Sequence, residues 1–233
     1  MYIHHDVVCP TLVGREPQVA AMRRVLARAK EGSGRVALIV GEAGVGKSRL
    51  LRAMTDEARS AGFFVLQGAC FEAERSIPYA PLLDLVRLFA SSSSPALVAH
   101  VLGPAGAELV AVFPELRPYF PDVTPSAAID PESDRRRLFH ALTQAMSTIA
   151  RTQPVLLAFE DVHWSDDATL ELVFHLARSN VSQPVAIART PSTRRNPLGT
   201  RCLRANANSR NEIPRTRREF LRDLHAFSRA RLR

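Results

Sequence analysis

Lysine is almost absent from this sequence. Of its 31 lysine and arginine residues, only Lys30 and Lys47 are lysines, so each retained lysine calls for an explanation. Cysteine is equally scarce. Cys9, Cys70 and Cys202 are odd in number, far apart and without a CxxC spacing, which argues against a disulfide framework and against a cysteine-based metal site. Reduced thiols in a cytoplasmic protein are the simpler interpretation.

Long apolar runs and a secretory leader are also missing. No apolar run approaches the roughly 18 residues of a membrane-spanning helix, and the opening segment MYIHHDVVCP has no basic stretch followed by an apolar one. Hydrophobic residues make up 46% of the chain and charged residues 23%, which is typical of a soluble globular protein. We therefore expect no membrane partner, and one domain with a sizeable core.

Excess positive charge is absent from most of the chain and concentrated at its end. Residues 1–185 hold 18 Lys and Arg against 20 Asp and Glu, a balance of −2, whereas residues 186–233 hold 13 against 3, a balance of +10. We predict a domain over residues 1–188 and a basic Arg-rich tail over residues 189–233. The tail is either a disordered, truncated or frame-disrupted end, or a genuine basic arm.

Strand and helix patterns alternate through the predicted domain. Four short apolar runs are typical of buried parallel strands: RVALIV (35–40), FFVLQGAC (63–70), QPVLLAF (153–159) and PVAIA (184–188). Residues 72–135 hold 9 of the 16 prolines and break into short helix-like pieces, which predicts a helical insertion. The alternation predicts an α/β fold with a parallel sheet flanked by helices.

Lys47 belongs to a glycine-rich motif. Residues 41–48, GEAGVGKS, match the GxxxxGK(S/T) phosphate-binding loop at every defined position, between a predicted strand and a predicted helix. Glycines let such a backbone turn successive N–H groups toward one anion, and the following helix adds the partial positive charge of its N-terminus. The predicted nucleotide-binding residues of this segment are Gly41, Glu42, Ala43, Gly44, Val45, Gly46, Lys47, Ser48 and Arg49.

Lys47 and Ser48 each suit one part of a magnesium-bound triphosphate. The Lys47 ammonium is compact and sits on a flexible stem, so it can reach between terminal phosphates where a planar guanidinium would not fit. The Ser48 hydroxyl can bind Mg²⁺, which keeps most of its coordination as waters and phosphate oxygens. This chemistry explains the retained lysine and makes the predicted α/β fold that of a P-loop NTPase.

Two adjacent carboxylates, Glu160 and Asp161, follow the third predicted strand. Carboxylates at the end of a strand neighbouring the phosphate loop can hold Mg²⁺ through water and orient an attacking water. Adjacent residues face different directions, so one carboxylate can approach the metal while the other approaches the terminal phosphate. We therefore predict Glu160 and Asp161 as the catalytic residues and, with Ser48, as the metal-site residues.

The residues that follow this acidic pair leave two alternatives open. His163 and Trp164 could line the same cleft, or Trp164 could be packed beside a solvated His163. Ser165 is predicted to cap a helix that carries Asp166 and Asp167 in its first turn, where carboxylates favour the helix dipole.

Three motifs in this order resemble the ATPase module of large bacterial LuxR-type, MalT-like transcriptional regulators. They are VGRE (13–16), GEAGVGKSRLL (41–51) and EDVHWSDDATLELV (160–173). These regulators belong to the AAA-like signal-transduction ATPases with numerous domains, the STAND class. The resemblance covers roughly residues 11–188. It implies ATP and Mg²⁺ as ligands and a helical insertion before the Walker B strand, the strand that ends at Glu160. It also implies contact of Gly14 and Arg15 with the adenine end.

The sequence departs from these regulators in several places. Glu160 stands where many relatives have Asp, which leaves the division of labour between Glu160 and Asp161 open. The NKxD sequence of guanine-specific P-loop proteins does not occur, which favours ATP over GTP. After PVAIA the chain continues as ARTPSTRRNPLGTRC, which is unlike the family, although Arg189 could serve as a phosphate-sensing arginine. A lid, a sensing array and a helix-turn-helix are not recognisable.

Three functions compete at this stage. The first, which we favour, is an ATP-binding regulatory switch module with weak or no turnover; DNA binding would then belong to domains not recognisable here, and self-association would run through the ATPase module. The second is a working ATPase or phosphotransferase, which needs a charge-stabilising arginine. The third is sequence-independent nucleic-acid binding through the basic tail, typically with a Kd of about 10⁻⁴–10⁻⁶ M.

Overall fold

The computed structural model describes residues 14–41 and 44–190. Within these residues, four parallel strands form one sheet in the order β1-β4-β3-β2. The prediction of a parallel α/β sheet of the P-loop NTPase type is confirmed. Beyond Arg189 and Thr190, the predicted basic tail lies outside the described residues. The strands are β1 (Arg35–Leu38), β2 (Phe64–Ala69), β3 (Val155–Glu160) and β4 (Val185–Arg189).

The strand order corrects one expectation. We predicted that the strand carrying Glu160 would neighbour the strand of the phosphate loop, but β4 lies between β1 and β3. In the register of the sheet, Arg189 of β4 is paired with Leu38 of β1 on one side and with Phe159 of β3 on the other. The last strand in the sequence therefore occupies the centre of the functional edge, and its final residue separates the phosphate loop from the acidic pair.

Helices cover both faces of the sheet. α1 and α2 pack on one face through residues such as Met22, Leu26 and Met54, and α3 to α7 pack on the other. Successive residues of β3 point to opposite sides, so Leu156 joins the first cluster and Leu157 the second. The helices are α1 (Glu16–Lys30), α2 (Lys47–Ser60), α3 (Ala80–Ser92), α4 (Pro95–Leu102), α5 (Gly106–Val112), α6 (Pro131–Ala150) and α7 (Asp167–Ser179).

The predicted helical insertion lies between β2 and the Walker B strand β3. It consists of α3, α4 and α5, with a 3₁₀ turn (Gly103–Ala105) between α4 and α5. Its apolar faces pack against α6 and the sheet. One segment, Pro95–Val112, is apolar and long enough by composition to cross a membrane. In this fold, however, that segment is divided among α4, a turn and α5, and Val98, Val101 and Leu109 are buried in the core.

Candidate functional site

All four strands run in the same direction, so their carboxyl ends meet at one edge. The loop from Gly41 to Lys47 follows β1, the acidic pair ends β3, and Arg189 ends β4. The next residues keep the register: the Ile39 N–H donates to the Arg189 carbonyl at 3.0 Å, and the Cys70 N–H donates to the Glu160 carbonyl at 3.0 Å. The sheet therefore brings the predicted phosphate loop and the predicted carboxylates to a common edge.

The phosphate loop has the backbone that its glycines allow. Gly44 and Gly46 have φ values of 78° and 90°, in the left-handed region that residues with a β-carbon rarely adopt. At Gly41 a β-carbon would lie only 2.6 Å from a methyl group of Val45, so the tight closure of the loop also requires glycine there. Glu42 and Ala43, which we predicted as nucleotide-binding residues, lie outside the described residues.

Lys47 is the first residue of α2 and one of the most buried charged side chains of the described chain. Only 9% of it is exposed, and its Nζ donates to the Gly41 carbonyl at 3.1 Å, across the mouth of the loop. Ser48 follows at the second position of the helix and is exposed, whereas Arg49 is partly buried. Gly46 has no side chain to cap the first N–H groups of α2, which leaves these donors suited to an anion.

Arg15 connects the VGRE motif to the phosphate loop. Its Nη2 donates to the Val45 carbonyl at 2.9 Å, and Gly14 before it has a φ of 69°. The contact fixes the start of α1 against the loop. The adenine contact that the resemblance implies for Gly14 and Arg15 stays a prediction.

The side chain of Glu160 points toward the outer strand. The Gln67 Nε2 of β2 donates to Glu160 Oε1 at 2.9 Å. Because β2 lies on the side of β3 opposite to β4, this bond draws the Glu160 carboxylate away from the phosphate loop. No motif marks Gln67, and only the pairing of β2 with β3 could have identified it.

Asp161 has a conformation that is unusual for a residue with a β-carbon. Its φ and ψ are 50° and 42°, and its side chain is 44% exposed at the edge of the sheet. Its backbone N–H donates to the hydroxyl of Thr190 at 2.9 Å. His163 Nδ1 lies 3.9 Å from Asp161 Oδ1, and the His163 ring packs against Trp164 with centroids 4.6 Å apart. His163 therefore adjoins the Asp161 carboxylate and packs against Trp164, with its own side chain only 21% exposed. A role of this pair in lining the cleft stays a prediction.

Arg189 is a buried cation between the phosphate loop and the acidic pair. It is only 3% exposed, and burial lowers the pKa of its guanidinium to about 10. Since this value is well above neutrality, the side chain keeps its charge at physiological pH. A desolvated positive charge interacts more strongly with an anion than a solvated one does, which suits this position to a phosphate.

Cys70 is buried at the same edge, directly after β2. Burial raises the pKa of its thiol to about 12, and the carboxylates of Asp166, Asp161 and Glu74 act in the same direction. The thiolate is the nucleophilic form of cysteine, so this thiol is inert at neutral pH. Cys70 therefore belongs to the packing of the site.

The donor set fits a magnesium nucleotide better than a metal held by protein alone. Within residues 14–41 and 44–190, no group of three or more His, Cys, Asp or Glu side chains converges on one point. Mg²⁺ in nucleotide sites takes one or two protein oxygens and completes its octahedron with water and phosphate. The Ser48 hydroxyl and the Asp161 carboxylate suit that requirement, with buried Lys47 and Arg189 as positive charges at the same edge. The predicted metal role of Glu160 fits less well, because its carboxylate is bonded to Gln67.

The sheet order and the phosphate loop together define a P-loop NTPase. A family model described as the AAA ATPase domain matches residues 11–188, and this chain belongs to that family. The chain is also 29% identical, over 192 residues, to an uncharacterized protein of Rhizobium meliloti (strain 1021), in an alignment that covers 77% of this chain and 18% of that protein. The chain thus spans less than a fifth of the length of this curated relative.

Proposed function

We propose that this protein is an ATP-binding regulatory switch module of a LuxR-type transcriptional regulator, with Mg²⁺ as its metal and slow or no hydrolysis of ATP. The proposal places the module in the cytoplasm. It assigns DNA binding to other domains of such a regulator and self-association to the module itself. The alignment covers only 18% of the relative's length, which supports the proposal that this domain is one module of a longer polypeptide.

The observation that carries the proposal is the buried ammonium of Lys47 at the mouth of the loop. This cation is 9% exposed and lies 3.1 Å from the carbonyl of Gly41, at the start of the loop. A hydrogen bond between an ammonium and a phosphate oxygen is charge-assisted and is stronger than one between neutral groups, so a nucleotide bound at this loop would gain from the position of Lys47.

The four charged side chains at this edge, Lys47, Glu160, Asp161 and Arg189, suggest separate roles. Lys47 would bind the terminal phosphates, and Ser48 with the carboxylate of Asp161 would hold Mg²⁺. Arg189, which ends the strand between the phosphate loop and the acidic pair, would distinguish a triphosphate from a diphosphate through its buried positive charge. In the competing enzyme, Glu160 would have to leave its bond with Gln67 to orient an attacking water.

A switch is favoured over a fast enzyme by the position of Glu160. A general base must be within hydrogen-bond reach of the water it activates. Glu160, the other carboxylate, is bonded to Gln67 on the far side of β3, which favours binding over turnover. The competing enzyme function predicts steady release of phosphate that disappears in Asp161→Asn.

Mg-ATP-dependent thermal stabilisation of the full chain tests the proposal. A ligand at a hundred times its Kd stabilises by about 2.7 kcal/mol, which corresponds to roughly 5–11 °C in Tm for a domain of this size. We expect ATP to give a larger shift than GTP. We expect Lys47→Ala to lose charge-assisted contacts of about 1.5–3 kcal/mol, which weakens ATP binding roughly 10- to 150-fold.

The controls separate binding from turnover. ADP and a non-hydrolysable ATP analogue should also stabilise the wild-type chain, and phosphate release should be slow at the same concentrations. A wild-type chain whose Tm does not respond to Mg-ATP would refute the proposal. Rapid phosphate release would replace the switch with the enzyme.

A further inference from the structure

Thr190 joins the end of β4 to the turn that carries Asp161. It follows Arg189 directly and is fully buried. Its N–H donates to the Phe159 carbonyl at 3.0 Å, and its carbonyl accepts the N–H of Val162 at 3.1 Å. Between these two bonds, its hydroxyl accepts the N–H of Asp161 at 2.9 Å. Thr190 thus makes hydrogen bonds to the backbone of Phe159, Asp161 and Val162, which lie before, within and after the acidic pair.

The Thr190 hydroxyl binds the residue after β3 that has a disfavoured backbone conformation. Asp161 has a φ of 50°, in the left-handed region where the β-carbon crowds the following carbonyl. Such a conformation persists only when its surroundings hold it. The direction of the Cα–Cβ bond of Asp161 follows from this backbone, because the β-carbon is fixed once φ and ψ are fixed. The bond from the Asp161 N–H to Thr190 therefore helps to set the point from which the carboxylate extends.

A buried threonine does not need a distant partner to satisfy its hydroxyl. Thr55, which is equally buried, donates to the Arg52 carbonyl of its own helix at 2.8 Å. Thr190 instead accepts from a residue 29 positions earlier in the chain, at the functional edge. The difference between the two threonines points to a local task for Thr190.

We propose that Thr190 is a positioning residue, whose hydroxyl holds Asp161 in the conformation that presents its carboxylate to a magnesium-bound nucleotide. The inference rests on the proposed function. It adds to the acidic edge a residue that neither the phosphate-loop motif nor the acidic pair indicates. Because Thr190 follows Arg189 directly, the same bond also links the backbone of Asp161 to the residue next to Arg189.

The test compares ATP affinity in Mg²⁺ with ATP affinity in EDTA, for full-length Thr190→Val, Thr190→Ser and Thr55→Val. Valine keeps the shape of threonine but leaves the buried N–H of Asp161 without an acceptor. We expect Thr190→Val to reduce the gain in affinity that Mg²⁺ gives by roughly 5- to 30-fold, with affinity in EDTA unchanged within about twofold. Thr190→Ser, which keeps the hydroxyl, should retain the wild-type gain.

Thr55→Val measures the effect of losing a buried hydroxyl elsewhere, and it should leave the Mg²⁺ gain intact. The inference is overturned if Thr190→Val keeps the wild-type gain, if Thr190→Ser loses as much as the valine variant, or if Thr55→Val loses it too. If the wild-type chain shows no Mg²⁺-dependent ATP binding, the proposed function is refuted, and this inference is refuted with it. Should Thr190→Val not fold, Thr190→Ser and Thr190→Ala give the same contrast.

Discussion

The side-chain amide of Gln67 donates a hydrogen bond of 2.9 Å to the carboxylate of Glu160, across two neighbouring strands. The bond fixes one of the two adjacent carboxylates on the outer side of β3, away from β4 and the phosphate loop. Glu160 and Asp161 are thus supported by different partners, a side-chain amide for the first and the Thr190 hydroxyl for the second. This asymmetry is a structural reason to expect different tasks for the two acids.

The first prediction concerns this amide. Gln67→Leu removes the donor from a half-buried carboxylate, so the free energy of unfolding should fall by about 1–2 kcal/mol, as measured by urea denaturation. In a double-mutant cycle with Glu160→Met, the two substitutions should couple by about 1 kcal/mol.

Gln183→Leu provides the matched control. Its amide donates to the Ser147 hydroxyl, also at 2.9 Å and partly buried, but far along the chain from the carboxylates. This variant should lose comparable stability and show no coupling with Glu160→Met. Additive effects for Gln67 and Glu160 would contradict the importance of their bond.

The second prediction uses the two lysines of the chain. Lys47→Arg keeps the charge but replaces a compact ammonium by a planar group in a buried site, so ATP affinity should fall by at least about tenfold. Lys30 is exposed, with its Nζ donating to the Ala61 carbonyl at 3.1 Å, and Lys30→Arg should bind ATP like the wild type. Titration with labelled ATP measures both. Equal affinities for the two variants would show that position 47 needs only a positive charge.

The third prediction concerns Asp166. We predicted that Ser165 caps α7, but the cap of this helix is Asp166. Asp166 Oδ1 accepts the Thr169 N–H at 2.9 Å, and Asp166 Oδ2 accepts the N–H of Tyr79, before α3, at 3.2 Å. Since one carboxylate serves two helix starts, Asp166→Ala should cost about 2–3 kcal/mol of unfolding free energy. The Ser165 hydroxyl donates instead to the Val162 carbonyl.

Asp130 is the comparison for this prediction. Its exposed carboxylate caps only α6, by accepting the N–H groups of Glu132 and Ser133. Thermal denaturation of Asp130→Ala should therefore show a clearly smaller loss than Asp166→Ala does. Equal losses would mean that the bond from Tyr79 adds nothing to the stability of the fold.

The fourth prediction is a pH dependence. Because burial raises the pKa of Cys70 to about 12 from its ordinary value of 9.0, folding favours the protonated thiol. Its contribution to stability is complete below pH 9 and is lost as the pH rises toward 12. Alkaline unfolding should be less steep in Cys70→Ala than in the wild type.

Thiol labelling gives a second measurement. In a Cys9→Ser, Cys202→Ser background, native Cys70 should react with iodoacetamide at pH 8 roughly a hundredfold more slowly than the same chain in urea. Equal rates in the two states would contradict a buried, protonated thiol.

Much of this molecule could be predicted from local patterns. The buried strands were visible because β3 and β4 are continuous apolar runs, and the phosphate loop because its glycines have a backbone requirement that few other residues meet. Strand order was not visible, since it depends on contacts between segments far apart in the sequence. The prediction therefore placed β3 beside β1, whereas β4 lies between them.

Gln67 and Thr190 show the same limit at the level of side chains. Each is an ordinary polar residue whose importance arises from a partner 93 or 29 positions away. The prediction that Ser165 caps α7 was wrong for a more local reason. Two adjacent residues could each cap α7, and the contact of Asp166 with Tyr79 decided between them.

The bond between Asp166 and Tyr79 has a mechanical consequence. Between the acidic pair and Asp166, the chain forms one short 3₁₀ turn, Val162–Trp164. Tyr79, which donates its N–H to Asp166, directly precedes α3, the first helix of the insertion. A rotation of the turn that carries Asp161 would therefore displace the start of α3, and a displacement of the insertion would in turn move that turn. The insertion is thus connected through one hydrogen bond to the edge that carries the phosphate loop and the acidic pair, so a protein bound to the insertion helices would change the geometry of that edge from a distance.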